Sequence, residues 1–222
     1  MADGKSIFIF GASRGIGLGL AKEFASRGWR VIASERSRSA ELHALDGVQV
    51  VTADVTDPAS YEALSFEDAS LDAIVVNAGI TGARHQSADE ATGEEVAEVM
   101  MANAFGPARA ARALLPALKD GGTLAFMSSL MGSIADSSGG YELYRTSKCA
   151  QNMLAKGIAE QNAKARNIAV LSLHPGWVQT DMGSAAAPLT VAESCRGLAD
   201  VLERAGGEGY AYVDYRGKEL PF

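Results

Sequence analysis

Short apolar runs recur along this chain with helix-like stretches between them, and that alternation limits the folds open to it. The runs are Ser6–Phe10, Arg30–Ala33, Val48–Thr52, Leu71–Asn77, Thr123–Ser128, Ile168–His174 and Tyr210–Val213. They are rich in β-branched residues and nearly continuous in apolar character, the pattern of strands buried on both faces. Between them, Gly15 to Arg27 sets Ile16, Leu20 and Phe24 on one helical face. Glu94 to Lys119 predicts a long helix interrupted near Gly106-Pro107, and Tyr144 to Ala165 sets Ala150, Leu154 and Ile158 together. Strands alternating with helices imply an α/β fold, a doubly wound parallel sheet of about seven strands with right-handed crossovers and helices on both faces. A length of 222 residues suits one such domain spanning 1–222, with the small-residue segment Gly183–Pro188 as its best candidate for a mobile loop.

Composition narrows the partners. Net charge is −7, which argues against a nucleic-acid or anionic-membrane surface. The two cysteines, Cys149 and Cys195, lie far apart without C-x-x-C spacing and read as free thiols in a reducing compartment. Met1 to Gly4 is polar and runs straight into a strand, unlike a signal peptide, and no apolar run reaches the ~20 residues of a membrane span. A cytoplasmic protein is expected. His43, His85 and His174 form no metal-spaced cluster, so no metal is expected, and His174 borders the candidate site.

The first strand runs into Gly11-Ala12-Ser13-Arg14-Gly15-Ile16-Gly17. Glycines at these positions let the chain turn tightly and let backbone approach a pyrophosphate, and the helix that follows offers free N–H groups and a positive dipole end. The spacing is G-x-x-x-G-x-G rather than G-x-G-x-x-G, but its place between strand and amphipathic helix points to a Rossmann-type dinucleotide site. Glu35, eighteen residues beyond Gly17, is suited to the adenosine ribose. Asp54, with Val55 beside it after the third strand, is suited to the adenine.

Over Gly11 to Thr180 the chain resembles the short-chain dehydrogenase/reductase family, whose motifs occur here in order. After the glycine turn and Asp54 come Asn77-Ala78-Gly79, Asn103, Ser128-Ser129, the Y-x-x-x-K element Tyr144-Arg145-Thr146-Ser147-Lys148, and Pro175-Gly176 with Val178 and Thr180. The segments Ser128–Ile134, His174–Met182 and Gly217–Phe222 are similar to those of small carbonyl reductases within that family. The resemblance implies that Tyr144, Lys148, Ser129 and Asn103 are catalytic, with Ser128 as the fallback serine. It also implies that Asn77 braces the central strands, that Pro175, Gly176 and Thr180 shape the nicotinamide side, and that the chain pairs into a homodimer or homotetramer.

The chemistry suits these residue types. Reducing a carbonyl leaves an alkoxide that needs a proton, and the reverse reaction needs a base. A nearby ammonium is expected to lower a tyrosine from its ordinary pKa of about 10, and residues 144 and 148 lie one helical turn apart on one face. Ser129 would stabilise charge on the substrate oxygen, while Asn103 would distort its helix to seat a water and extend a proton relay from Lys148. Trp177 and Met182 read as an apolar substrate wall. For the cofactor, Glu35 suits the free 2′-hydroxyl of NAD, whereas Arg36 and Arg14 suit the 2′-phosphate of NADP. The balance favours NAD(H), with dual use open. The expected substrate is a small, mostly apolar ketone, aldehyde or secondary alcohol. A dinucleotide-binding sensor without turnover, and dehydration or epimerisation on the same scaffold, stay open as alternatives.

Overall fold

The computed structural model describes residues 4–222; Met1, Ala2 and Asp3 of the polar amino terminus lie outside it. Seven strands, β1 (Ser6–Phe10), β2 (Arg30–Glu35), β3 (Val48–Thr52), β4 (Leu71–Val76), β5 (Leu118–Met127), β6 (Ala169–His174) and β7 (Gly209–Asp214), form one sheet in the order β3-β2-β1-β4-β5-β6-β7. Every neighbouring pair is parallel. The expected doubly wound α/β sheet is what the chain forms.

Period-two alternation sorts each strand between two cores. Phe8, Phe10, Ile32, Ile74, Val76, Leu124, Phe126 and Val170 face one layer. That layer contains α5 (Gly106–Leu114) and α6 (Glu142–Ile158). Ile7, Ile9, Val31, Ala73, Val75, Ala125 and Leu171 face the other, which holds α1 (Gly15–Ser26) and α7 (Val191–Arg204). Fully burying a Phe, Leu or Ile side chain stabilises by roughly 1.5–3 kcal/mol, so both layers hold the sheet. β3 departs from the expectation of strands buried on both faces: as an edge strand it is only half-buried.

The helices depart further. The segment from Glu94 does not break at Gly106-Pro107. Instead α4 (Gly93–Met100) passes into a π-helical turn over Met101–Phe105 and continues as α5. Gly106 lets this path press on the chain after β3, since a Cβ there would lie 2.6 Å from the Val55 carbonyl oxygen. The next long helix starts at Glu142 and loosens into a second π turn over Ala159–Ala163. The short helices α2 (Ala40–His43) and α3 (Pro58–Glu62), and the fourteen-residue α7, carry no expectation from periodicity. For α7 the signal was present: Thr190 and Glu193 form a reciprocal capping box. Residues 183–188 pack more than their composition suggests. Trp177 Nε1 donates to the Gly183 carbonyl, Gln179 Nε2 donates to Ala187 O at 3.0 Å, and Val178 pairs with Leu189.

Candidate active site

The chain leaves β1 towards β2 on one side, while β4 lies on the other, so the carboxyl edge opens a crevice between the turn after β1 and the segment after β4. Asn77, just past β4, donates from Nδ2 to Gly11 O at 2.7 Å and stitches the two walls together. Gly11 (φ +87°) and Gly15 (φ +55°) hold left-handed backbone. A Cβ on Gly17 would lie 2.1 Å from Gly11 O and 2.7 Å from Asn77 Nδ2. Only glycine fits there. Arg14 is the N-cap of α1 but makes no side-chain cap bond, and the first turn holds no carboxylate. Its guanidinium instead reaches Asp181, past β6, at 2.9 Å, with both side chains exposed. Ser13 and Ile16 complete the turn, half-buried.

Glu35, read as suited to the adenosine ribose, has its carboxylate engaged within the protein. Its side chain turns inward, 5% exposed, with Oε2 accepting from Ser39 N–H at 2.6 Å and Oε1 paired with His43 Nε2 at 2.8 Å. These partners hold its carboxyl below the usual range against the opposing effect of burial, the largest single influence. Arg36 beside it is exposed, with only a 3.8 Å contact to Asp54. Asp54 Oδ1 accepts from the Thr56 N–H and hydroxyl at 2.9 and 2.8 Å, and Val55 is buried beneath it. The reason for the inward Glu35 is local: Ser39 caps α2, and α2 carries His43 back over the strand end.

The four catalytic candidates converge from three places: α6, the π turn and the 3₁₀ turn after β5. Lys148, on α6, is 3% exposed, and its Nζ donates to Met127 O at 2.8 Å and to Gln151 Oε1 at 3.3 Å. It lies 5.7 Å from the Tyr144 ring centroid. Asn103, in the π turn, is fully buried; its Oδ1 accepts from Ile80 N–H at 2.7 Å, while Nδ2 donates to Ile80 O at 2.8 Å and to Ser147 Oγ at 2.9 Å. It therefore ties the segment after β4 to α6, directly below Gly79, where a Cβ would come 3.1 Å from its Oδ1 and 3.5 Å from Lys148 Nζ. Ala78 adjoins Gly79, half-buried.

The two serines separate. Ser128 is buried, and its hydroxyl donates to Asn152 Oδ1 at 2.7 Å. Ser129 caps a single 3₁₀ turn, Leu130–Gly132, and its hydroxyl lies against the Tyr144 phenol. Gly132 allows that turn to press on α6, since a Cβ there would lie 3.0 Å from the Lys148 carbonyl carbon. Tyr212 on β7 donates its hydroxyl to the Ser129 carbonyl.

Burial pushes the Tyr144 phenol up to about 12, with the hydrogen bond to Ser129 opposing it. Burial pushes the Lys148 ammonium down to about 7. The expected lowering of Tyr144 by an adjacent ammonium is therefore not found. Desolvation dominates the phenol, and it also weakens the charge on the lysine that was to act on it.

On the far wall, Gly176 (φ +84°) holds left-handed backbone with a Leu189 methyl packed against it, and Ser194 Oγ donates to Pro175 O at 2.7 Å. Val178 is buried, and Thr180 Oγ1 accepts from Gly183 N–H at 3.0 Å. Trp177 and Met182 are half-exposed. Trp177 lines a cavity of about 440 Å³ together with Leu130, His174, Leu189, Tyr215 and Leu220. His174 is pushed down to about 4 by burial, and its buried Nδ1 has no partner among the described residues.

Sequence patterns missed two residues. Gln86 (φ +57°) holds the start of α6: its Oε1 accepts from Tyr144 N–H at 3.1 Å and its carbonyl accepts from Glu142 N–H at 2.9 Å. Gln151 is the other. Gln86 Nε2 donates to the nearby Thr81 and Ala83 carbonyls, but the α6 amides that Gln86 holds lie more than fifty residues away, so no local pattern marks that role.

No helix among the described residues is long and apolar enough to cross a membrane, and no group of three or more His, Cys, Asp or Glu side chains among them is arranged to hold a metal ion.

The chain matches the family model for short chain dehydrogenase over residues 5–188. It is similar to a short-chain dehydrogenase/reductase from Burkholderia multivorans with bound NADP, at 36% identity and a TM-score of 0.93, covering 98% of this chain and 99% of that one. It is also similar to a carbonyl reductase from Pseudomonas aeruginosa PAO1 in complex with NADP, at 40% identity and a TM-score of 0.91, covering 99% and 100% respectively. By sequence it is 36% identical to C-signal of Myxococcus xanthus over 156 residues, 68% of this chain and 93% of that protein.

Proposed function

Because this chain belongs to the short-chain dehydrogenase family, we propose that Tyr144, Lys148, Ser129 and Asn103 are the machinery with which one domain, residues 1–222, reduces small apolar ketones or aldehydes at the expense of NADPH. The protein is an NAD(P)-dependent oxidoreductase interconverting carbonyl and alcohol groups. The observation that carries the residue assignment is half-buried Tyr144 beside buried Lys148 on α6, against Ser129, with Lys148 Nζ facing Gly79 on the wall after β4.

The residues present fit a dinucleotide. The first-turn amides of α1 have no side-chain cap, and the first turn itself holds no carboxylate, which suits a pyrophosphate. Asn77, Ala78 and Gly79 form the opposite wall, and Pro175, Gly176, Val178 and Thr180 the nicotinamide side. When bound, the dinucleotide supplies the hydride. With its phenol pushed up to about 12, Tyr144 is protonated at neutral pH and donates that proton to the developing alkoxide. The Ser129 hydroxyl donates to the same oxygen. Lys148 holds the nicotinamide ribose and returns a proton to Tyr144, and Asn103 fixes the segment beside it. Reduction needs both the Tyr144 phenol and the Lys148 ammonium, so it falls as pH rises through the Lys148 value of about 7, whereas alcohol oxidation, which needs a base, rises with pH.

The lean to NAD(H) drawn from Glu35 has no support from the NADP-bound relatives. The reading preferred here is NADP(H), because both Glu35 oxygens are engaged internally while Arg36 is exposed at the strand end. A guanidinium suits a 2′-phosphate. The free state of Cys149 and Cys195 supports a reducing, cytoplasmic setting. The exposed apolar side chains Val96, Phe105 and Met153 on the α4–α5 segment and α6 support pairing into a homo-oligomer.

The likeness to C-signal favours a second reading, a dinucleotide-binding signalling protein without turnover. One assay separates the two. NADPH and NADH oxidation is followed with aryl ketones, diketones and aldehydes, for the parent and for Arg36→Ala. The expected result is turnover with an NADPH preference on the order of tenfold or more that Arg36→Ala erases. Parent preference for NADH would contradict the cofactor assignment, and tight binding without turnover in either direction would favour signalling.

A further inference from the structure

Gln151 is buried, 1% exposed, one turn beyond Lys148 on the same face of α6. Its Oε1 accepts from Lys148 Nζ at 3.3 Å. Its Nε2 is buried and has no hydrogen-bond partner among the described residues. A buried amide with half its capacity unmet is destabilising, so packing alone gives no reason for a glutamine here rather than a leucine. The orientation of the amide is set by its neighbour, because the flipped form would aim an N–H₂ at an ammonium.

The donor count gives this contact its meaning. A lysine ammonium has three N–H groups and no acceptor. The Met127 carbonyl takes one at 2.8 Å and Gln151 takes a second, which leaves one for the crevice. The elements packed around Nζ supply few other polar groups. Tyr144 faces it from α6, Gly79 from the segment after β4 with Asn103 behind it, and the Met127 carbonyl from β5. No charged side chain contributes to the displacement of its titration, which arises from burial alone.

We infer that Gln151 is a positioning residue for the reaction: with the Met127 carbonyl it pins Lys148 so that the remaining N–H points to the dinucleotide ribose and the proton path from Tyr144. The inference rests on the assignment of Tyr144 and Lys148 under the proposed function. Without the amide oxygen the ammonium loses an acceptor. It then swings among rotamers and gives up its proton at lower pH.

The test compares the parent with Gln151→Leu, Gln151→Glu and Tyr144→Phe, each measured for NADPH affinity, melting temperature and the pH profile of carbonyl reduction. In Gln151→Leu the expected result is a loss of kcat/KM on the order of tenfold and a weaker NADPH affinity. Its alkaline limb moves to lower pH, while its melting temperature is equal to or above that of the parent. Gln151→Glu, which adds a carboxylate to the same ammonium, moves the limb to higher pH. A loss that is uniform across pH, tracking a lower melting temperature, would make Gln151 merely structural and overturn the inference. So would a parent-like profile in Gln151→Leu. If Tyr144→Phe is dead while Gln151→Leu is parent-like, only the inference fails; if Tyr144→Phe turns over normally, the proposed catalytic assignment fails and takes the inference with it.

Discussion

The helix starts of this protein fall into two kinds. Helices α4 and α7 begin with complete capping boxes, Thr92 with Glu95 and Thr190 with Glu193, each side chain bonding the other's backbone. Helix α1 begins with Arg14, which caps nothing and stands between Ser13 and Gly15. The capped ends meet the ordinary need of a helix for partners on its first amides. The uncapped end leaves those amides without a side-chain partner, which under the proposed function serves the dinucleotide phosphates. A helix that stabilises itself at its start cannot also offer that start to a phosphate.

The contrast can be tested in order of expected effect. Gly17→Ala puts a Cβ against Gly11 O at 2.1 Å and should weaken NADPH binding by on the order of a hundredfold or more, measured by quenching of intrinsic fluorescence. Arg14→Asp would give α1 a cap of its own and a negative charge where the pyrophosphate is expected. NADPH affinity should fall by on the order of tenfold, while stability to urea changes by no more than about 1 kcal/mol. A parallel loss of both would contradict the division between the two kinds of end. Thr190→Ala should do the reverse, lowering stability by about 1 kcal/mol and the melting temperature by roughly 2–4 °C, with NADPH affinity unchanged. The smallest effect is in acid. The Thr190 hydroxyl and N–H hold the Glu193 carboxyl below its usual value. Its contribution is therefore complete above the ordinary glutamate pKa of about 4.3 and fades as pH falls through the lower folded value. Melting temperature plotted against pH should fall slightly less steeply in acid for Glu193→Gln than for the parent.

Much of this was legible from the chain itself. β1 and β3 begin and end where the apolar runs do, and β2, β4, β6 and β7 differ by one or two residues at an end, because strands buried in a parallel sheet carry their signal locally. β5 begins five residues early, at Leu118, where a register irregularity lets it pair beside Leu71. The π turn over Met101–Phe105 was not legible as such: Asn103 spans to Ile80 and Ser147, and the helix takes up the slack where the glycine-proline pair suggested a break. The surroundings of Glu35 were hidden for a similar reason. Its place at the end of β2 could be read, but its direction depends on Ser39 and His43, which lie on a four-residue helix without periodicity. The carboxyl edge was therefore readable as a site, whereas the tertiary contacts that aim its side chains were not.

The most direct measurement is single-turnover and steady-state carbonyl reduction by Tyr144→Phe with NADPH, alongside its NADPH dissociation constant. The substitution removes one oxygen from a half-buried ring and leaves the α1 turn untouched. The account predicts turnover lower by roughly 10²–10⁴-fold with NADPH affinity near that of the parent. Turnover within a few-fold of the parent would contradict it, because the proton would then be coming from somewhere other than Tyr144.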